Sequence, residues 1–296
     1  MAVVLGGMPW AISVVSDLKF KIDGAHWNQG GGLMWKLRDG DLAARRAARG
    51  VNGAGQGKAS EWVRERLGLT ADALQARVLD TRSRRGVLNC CRQWGKSTIT
   101  AAKAIYEAQH APGSLTLVVS PSARQSGEFL RKAAGFAQRL GIRPKGDGDN
   151  EISLVLPNDS RIVGLPGNEA TVRGYSAVSL LLVDEAAQVT DGMYMTVRPM
   201  LAVSGGGLWL MSTPFGKRGF FWEAWEHGGP GWERVRAPAT ECARIPKEFL
   251  EEERATMSER WFRQEYLCEF EDAVSGVFGR ETVERAFTEE VEALSL

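Results

Sequence analysis

The run Arg85-Gly86-Val87-Leu88-Asn89-Cys90-Cys91-Arg92-Gln93-Trp94-Gly95-Lys96-Ser97-Thr98 restricts the fold more than any other stretch of the chain. Gly95-Lys96-Ser97 closes a G-x-x-x-x-G-K-[ST] pattern in which Cys90 stands where the first glycine is usual. Val87 and Leu88 suit a short buried strand, and residues 97–105 suit the opening of a helix. The first backbone N–H groups of a helix lack partners and sit at the positive end of its dipole, so a polyphosphate fits there. In this pattern Lys96 reaches the outer phosphates and the Ser97 hydroxyl ligates Mg²⁺.

Further strands follow at intervals a layered α/β fold would give. Residues 61–67 read as a helix, and Thr70 is placed to cap a second over residues 71–79, with Leu74, Val78 and Leu79 at helical spacing. After the break Ala111-Pro112-Gly113, residues 115–119 form an apolar run ending at Ser120-Pro121-Ser122, and a helix is expected over 125–140. Residues 151–156 and 161–165 flank Pro157-Asn158-Asp159-Ser160 and read as a hairpin. Leu180-Leu181-Leu182-Val183 ends in Asp184-Glu185, and Gly207-Leu208-Trp209-Leu210-Met211 ends in Ser212-Thr213. Strands alternating with helices, each closing on a polar cluster, predict a mostly parallel sheet with its site along the C-terminal edge of the strands.

Within that edge the chemistry divides by residue type. Asp184, fixed at a strand end, suits a second Mg²⁺ anchor, and Glu185 beside it can polarise an attacking water. Phosphoryl transfer also calls for an arginine near the terminal phosphate. Arg92 lies inside the loop and could act within its own chain. Arg173, in Thr171-Val172-Arg173-Gly174, lies on a loop able to reach a neighbouring subunit and is the favoured finger; Arg124 and Arg161 are weaker choices.

Composition excludes rather than selects. An apolar share of 44% and a charged share of 25% are ordinary for a globular protein. The net charge of +1 conceals seventeen Lys/Arg against nine Asp/Glu in residues 1–110, and seven against fifteen in residues 241–296. The four cysteines form no C-x-x-C pair and the three histidines are scattered, which leaves no readable zinc site and fits a reducing cytoplasm. Residues 3–15 are mostly apolar, but too few to span a bilayer and not preceded by a basic segment.

Taken together, these residues resemble the large terminase subunits of tailed phages, the motors that package DNA into capsids. Cys91-Arg92-Gln93-Trp94-Gly95-Lys96-Ser97-Thr98 is similar to that family's variant phosphate loop, Leu180-Leu181-Leu182-Val183-Asp184-Glu185 to its acidic strand, and Ser212-Thr213-Pro214-Phe215-Gly216 to its coupling motif. Gln75 resembles its adenine-recognising glutamine, Ser120-Pro121-Ser122-Ala123-Arg124-Gln125-Ser126 its segment after the second strand, and Glu265-Tyr266-Leu267-Cys268-Glu269-Phe270 with Gly276-Val277-Phe278 its exit from the ATPase domain. The likeness spans roughly residues 70–280.

The resemblance implies a P-loop ASCE/RecA-like α/β fold, a mostly parallel sheet flanked by helices with a small C-terminal lid subdomain. It implies ATP and Mg²⁺ as ligands, and ATP hydrolysis coupled to translocation of double-stranded DNA into a procapsid. It further implies a portal protein and a small terminase subunit as partners, and a homo-oligomeric ring when assembled, although the isolated chain could be monomeric. The setting would be the host cytoplasm, with transient docking on the procapsid and no membrane. On this reading residues 1–60 form an N-terminal arm or adaptor, 61–214 the ATPase core, 215–272 the lid, and 273–296 a linker. The family's RNase H-type nuclease domain has no counterpart before Leu296, so nuclease activity is not expected of this chain. Phe220, Phe221, Trp222, Trp225, Trp232, Phe249, Trp261 and Phe262 are expected to form the core of the lid, with Pro246 and Ser258 opening two helices there.

Two other readings compete. Asp184-Glu185-Ala186-Ala187-Gln188 and Ser212-Thr213-Pro214 faintly echo a DEAD-box-like helicase lobe, but a second nucleotide-binding lobe cannot fit in the 24 residues after Asp272. A non-catalytic, nucleotide-dependent adaptor would not need Lys96, Asp184 and Glu185 all in place, and a phosphate-release assay separates it from an enzyme.

Overall fold

The computed structural model describes residues 57–148, 152–167 and 174–272. The expected arm lies outside them except for residues 57–60, as does the linker 273–296. Two helices come first, α1 (Ala59–Leu67) and α2 (Ala73–Asp80). The cap of α2 is Asp72, not Thr70. The Asp72 carboxylate accepts the Gln75 N–H at 2.8 Å, and the Gln75 side-chain oxygen accepts the Asp72 N–H at 3.1 Å. This reciprocal box satisfies two donors at once, which Thr70, further upstream, cannot do.

The strand–helix alternation then follows as β1 (Arg85–Cys90), α3 (Lys96–His110), β2 (Leu115–Ser120), α4 (Ala123–Arg139), β3 (Ser153–Val155), β4 (Arg161–Pro166) and β5 (Leu180–Asp184). After β5 come α5 (Asp191–Val197), β6 (Gly207–Ser212), α6 (Gly219–His227), β7 (Glu233–Ala237), α7 (Lys247–Thr256) and α8 (Glu259–Glu265). The seven strands run in the order β3-β4-β2-β5-β6-β1-β7, and every neighbouring pair is parallel except β3 with β4, the expected hairpin. Parallel pairing brings the C-terminal ends of β1, β2, β5 and β6 to one edge.

Alternation along each strand builds two cores. Leu88 and Cys90 of β1, Leu180 and Leu182 of β5, and Trp209 and Met211 of β6 face α1 to α4. Val87, Leu181, Val183, Leu208 and Leu210 face α5 and α6. A strand buried on both faces reads as a continuous apolar run, which is why these strands stand out in the sequence.

Close approach is built in at Gly86, the register partner of Trp209. A Cβ there would lie 2.3–2.5 Å from the indole ring. Behind the indole, Lys103 Nζ sits 5.0 Å from the ring centroid and donates to the Val78 carbonyl at 3.2 Å. This buried ammonium therefore ties the last turn of α2 to α3. Burial holds its pKa below the ordinary lysine value.

The segment expected to be a lid divides in two. β7 pairs with β1 along its length and so extends the main sheet. Phe220 and Phe221 of α6 join the second core under that sheet. The part after Ala237 is a small helical piece whose Cys242, Leu250, Phe262 and Cys268 pack into the first core, with α7 following Pro246 and α8 capped by Ser258 as the sequence suggests. Trp261 and Phe249 are exposed rather than core residues.

Candidate active site

The loop between β1 and α3 is shaped by two left-handed residues, Gln93 at φ 63° and Gly95 at φ 95°. Cys90, in the position of the missing glycine, continues β1 with its side chain fully buried and needs no glycine conformation. α3 starts on Gly95 with no side-chain cap, whereas α2 and α4 are capped by Asp72 and Ser122. Its opening N–H groups are thus left for an outside acceptor such as an anion.

Three stretches far apart in sequence converge on that helix start. Ser97 Oγ donates to Asp184 Oδ2 at 3.0 Å, and Lys96 Nζ lies 3.1 Å from Glu185 Oε1. Ser212 Oγ approaches Glu185 Oε2 at 3.4 Å, and Thr213, the next residue, is buried as well. Glu185 itself adopts φ 49°, a left-handed conformation unusual for a side chain of its size, and its N–H donates to Asp184 Oδ1 at 3.1 Å. That bend turns its carboxylate off the strand end towards Lys96 and Ser212.

The electrostatics are those of a buried cluster with excess negative charge. Burial pulls the Lys96 ammonium down, but the Glu185 and Asp184 carboxylates outweigh it and hold the group above its ordinary pKa. Burial, followed by the neighbouring Glu185, raises Asp184, against the opposing pull of Lys96 and the Ser97 hydroxyl. Two carboxylates against one ammonium, with hard oxygen donors at Ser97 and Asp184, suit a small divalent cation. Among the described residues no group of three or more His, Cys, Asp or Glu could hold a metal alone. Magnesium, which is held by one or two carboxylates plus phosphate oxygens, does not need one.

Around this centre the loop is held from two sides. Gln75 Nε2 donates to the Trp94 carbonyl at 2.9 Å, and Arg244 donates to the same oxygen while lying 3.8 Å from Asp72. Arg92 Nε pairs with Glu265 of α8 at 2.7 Å. Its guanidinium is thereby engaged by the helical piece. Arg173 lies outside the described residues. Sequence reasoning does not single out Arg244 or Glu265 as loop partners, and no local pattern could, because each meets the loop across about 150 residues or more.

Below the loop, Cys90, Cys91, Cys242 and Cys268 are all free and buried. Burial raises Cys91 to about 11 and pushes Cys90 and Cys268 up as well. The folded chain keeps Cys91 protonated where an unfolded thiol, with its ordinary value of 9.0, ionises. That contribution to stability is complete below pH 9 and is lost as pH rises towards 11. The thermal midpoint should therefore fall as the pH is raised from 9 to about 11, and fall less in Cys91→Ala. An equal fall in both proteins would show that the thiol contributes nothing.

No family model matches the chain. It is 24% identical over 249 aligned residues to the terminase large subunit of Thermus virus P23-45, a match covering 72% of this chain and 51% of that protein. The chain thus corresponds to about half the length of the relatives it matches. Among solved structures, the ATPase domain of the Thermus phage P74-26 large terminase is 22% identical with a TM-score of 0.65, covering 73% of this chain and all of that one. The large terminase of another thermophilic bacteriophage, in complex with ADP, is 13% identical with a TM-score of 0.53, over 72% of this chain and 52% of that one. The likeness first read from three motifs therefore extends over most of the chain, and the fold is that of the terminase ATPase domain.

Proposed function

We propose that this relative of the phage terminase large subunits is a Mg²⁺-dependent ATPase domain that drives double-stranded DNA into a procapsid. The observation that carries the reading is the meeting of Lys96 and Ser97, Asp184 and Glu185, and Ser212 at the start of α3. The ADP complex of the thermophilic phage's large terminase supports a nucleotide as the ligand.

In this reading the N–H groups opening α3 and the Lys96 ammonium neutralise the phosphates of ATP. Ser97 and Asp184 would hold Mg²⁺, which when bound offsets charge on the β- and γ-phosphate oxygens. Glu185 orients the attacking water and takes its proton as the bond to the ADP oxygen breaks. Lys96 lies 3.1 Å from the Glu185 carboxylate and so ties the phosphate loop to the base. Gln75 keeps one amide hydrogen beyond its bond to Trp94 and is assigned to the adenine. Arg173 acts as the finger on a neighbouring subunit's nucleotide, because Arg92 is held by Glu265. Ser212 and Thr213 pass the state of Glu185 on to the DNA-moving parts.

Double-stranded DNA, the portal protein, the small subunit and the ring all follow from the same assignment, with the host cytoplasm as the setting. No helix among the described residues is long and apolar enough to cross a membrane. DNA contact should be made chiefly to phosphates and should weaken steeply with salt.

The test is phosphate release against protein concentration, with and without duplex DNA. A rate per chain that climbs with concentration is expected, as is partial rescue when Arg173→Ala and Lys96→Ala chains are mixed. A concentration-independent rate with no rescue would remove the ring and the trans finger, and absence of any hydrolysis would favour the adaptor reading.

A further inference from the structure

The last residue of β2 carries a polar group for which the fold itself has no use. Ser120 is 0% exposed, and its Oγ is buried with no hydrogen-bond partner. An unsatisfied buried hydroxyl is uncommon in a folded protein and calls for an explanation. Thr116 carries a second such hydroxyl, but near the other end of the strand, away from the site.

The neighbours of Ser120 leave it one polar side to face. β2 runs parallel to β5 with Val119 opposite Val183, so Ser120 stands beside Asp184 at the end of the next strand. Alternation puts both residues on the face that carries Val118, Leu180 and Leu182, the face covered by α3. On its other flank Ser120 pairs with Pro166, which is followed by Gly167, and neither has a polar side chain. A Cβ at Gly167 would lie 3.2 Å from the Ser120 carbonyl, so backbone closes that flank.

Asp184 has room for a contact from the β2 side. Its Oδ2 accepts from the Ser97 hydroxyl and its Oδ1 from the Glu185 N–H. An ionised carboxylate accepts about four hydrogen bonds, so these two do not exhaust it. Neighbouring strands lie about 4.8 Å apart, a gap that one water bridges with a hydrogen bond to each side. Mg²⁺ dehydrates reluctantly and keeps several waters even when carboxylates and phosphates hold it. A water on the cation donates through both hydrogens, and Asp184 and Ser120 Oγ are the two acceptors at this corner.

We propose that Ser120 is a positioning residue for the cation, its hydroxyl fixing a water of the Mg²⁺ shell against Asp184. The hydroxyl is without a partner in the folded chain because its partner arrives with the ion. Ser120 touches neither the phosphates nor the attacking water in this assignment. The inference rests on the nucleotide reading above and adds β2 to the strands that build the site.

Binding of a fluorescent ATP analogue, measured with Mg²⁺ and again with EDTA, tests it in wild type, Ser120→Ala and Thr116→Val. The quantity read is the ratio of the two affinities, which is the gain that Mg²⁺ brings. Loss of an outer contact lowers metal affinity by about 10- to 100-fold. The gain in Ser120→Ala should therefore fall about tenfold or more, with the affinity in EDTA unchanged. Thr116→Val removes the other orphan hydroxyl and should keep the wild-type gain. The metal-free thermal midpoint should hold or rise in Ser120→Ala, because alanine deletes a hydroxyl that has no partner to lose. A wild-type gain in Ser120→Ala, or an equal loss of affinity with and without the metal, would overturn the proposal alone. A similar fall of the gain in Thr116→Val, or a lowered metal-free midpoint in Ser120→Ala, would do the same. A wild-type chain that binds no analogue would overturn the nucleotide reading and the proposal together.

Discussion

Replacing Glu185 by Gln is expected to lower ATP turnover by about 10²- to 10⁴-fold, the usual contribution of a general base. The substitution keeps the side chain's size and leaves an amide oxygen for the Ser212 hydroxyl, which lies 3.4 Å from the carboxylate. It removes the carboxylate that would take the water proton and breaks the 3.1 Å ion pair with Lys96. Lys96 is then free to give its whole charge to the phosphates, so affinity for ATP should hold or improve. Phosphate release and binding of a fluorescent ATP analogue, measured on one preparation, separate the two effects. Turnover within tenfold of wild type would mean that another group takes the proton.

Gly86→Ala is expected to cost a large amount of stability for a single added methyl group. Its Cβ would lie within 2.5 Å of three ring atoms of Trp209, closer than side-chain atoms pack. The indole cannot readily retreat, since Lys103 sits over it and is itself bonded to the last turn of α2. Overpacking of this kind costs about 1–3 kcal/mol, and about 2–4 °C of thermal midpoint accompanies each kcal/mol in a domain of this size. The same alanine on a Trp209→Leu background should cost much less, because the clashing ring is gone. Equal penalties on both backgrounds would show that the contact is not the cause.

How far the sequence carries these conclusions differs from element to element. β1, β2, β5 and β6 are readable because each is buried on both faces, and β2, β5 and β6 end in a polar residue. β7 is not, because Glu233-Arg234-Val235-Arg236-Ala237 alternates charged with apolar residues at a sheet edge. Its Glu233 is paired with Arg77 of α2 and its Arg236 donates to the Leu267 carbonyl, contacts that no local pattern announces. Without that strand, residues 215–272 look like one lid. Thr70 looks like a cap because it precedes an apolar periodicity, but the Asp72–Gln75 exchange of hydrogen bonds settles the start two residues later.

At the site, residue types and strand ends are enough to bring Lys96, Ser97, Asp184, Glu185 and Ser212 to one place. The contacts that hold the loop, from Arg244 and Glu265, depend on tertiary approach across the chain. Gln75, singled out in the sequence by its resemblance to an adenine-recognising glutamine, is seen to cap α2 and hold the Trp94 carbonyl.

The central claim is that one ATP occupies the start of α3, between Lys96, Asp184 and Glu185. A crystal structure with Mg²⁺ and a non-hydrolysable ATP analogue tests it most directly. The expected result is phosphate density against the N–H groups opening α3 and the Lys96 ammonium, with the cation on Ser97 and Asp184. An analogue bound elsewhere, or phosphates at that helix start with Lys96 still turned to Glu185 and no cation on Asp184, would contradict it.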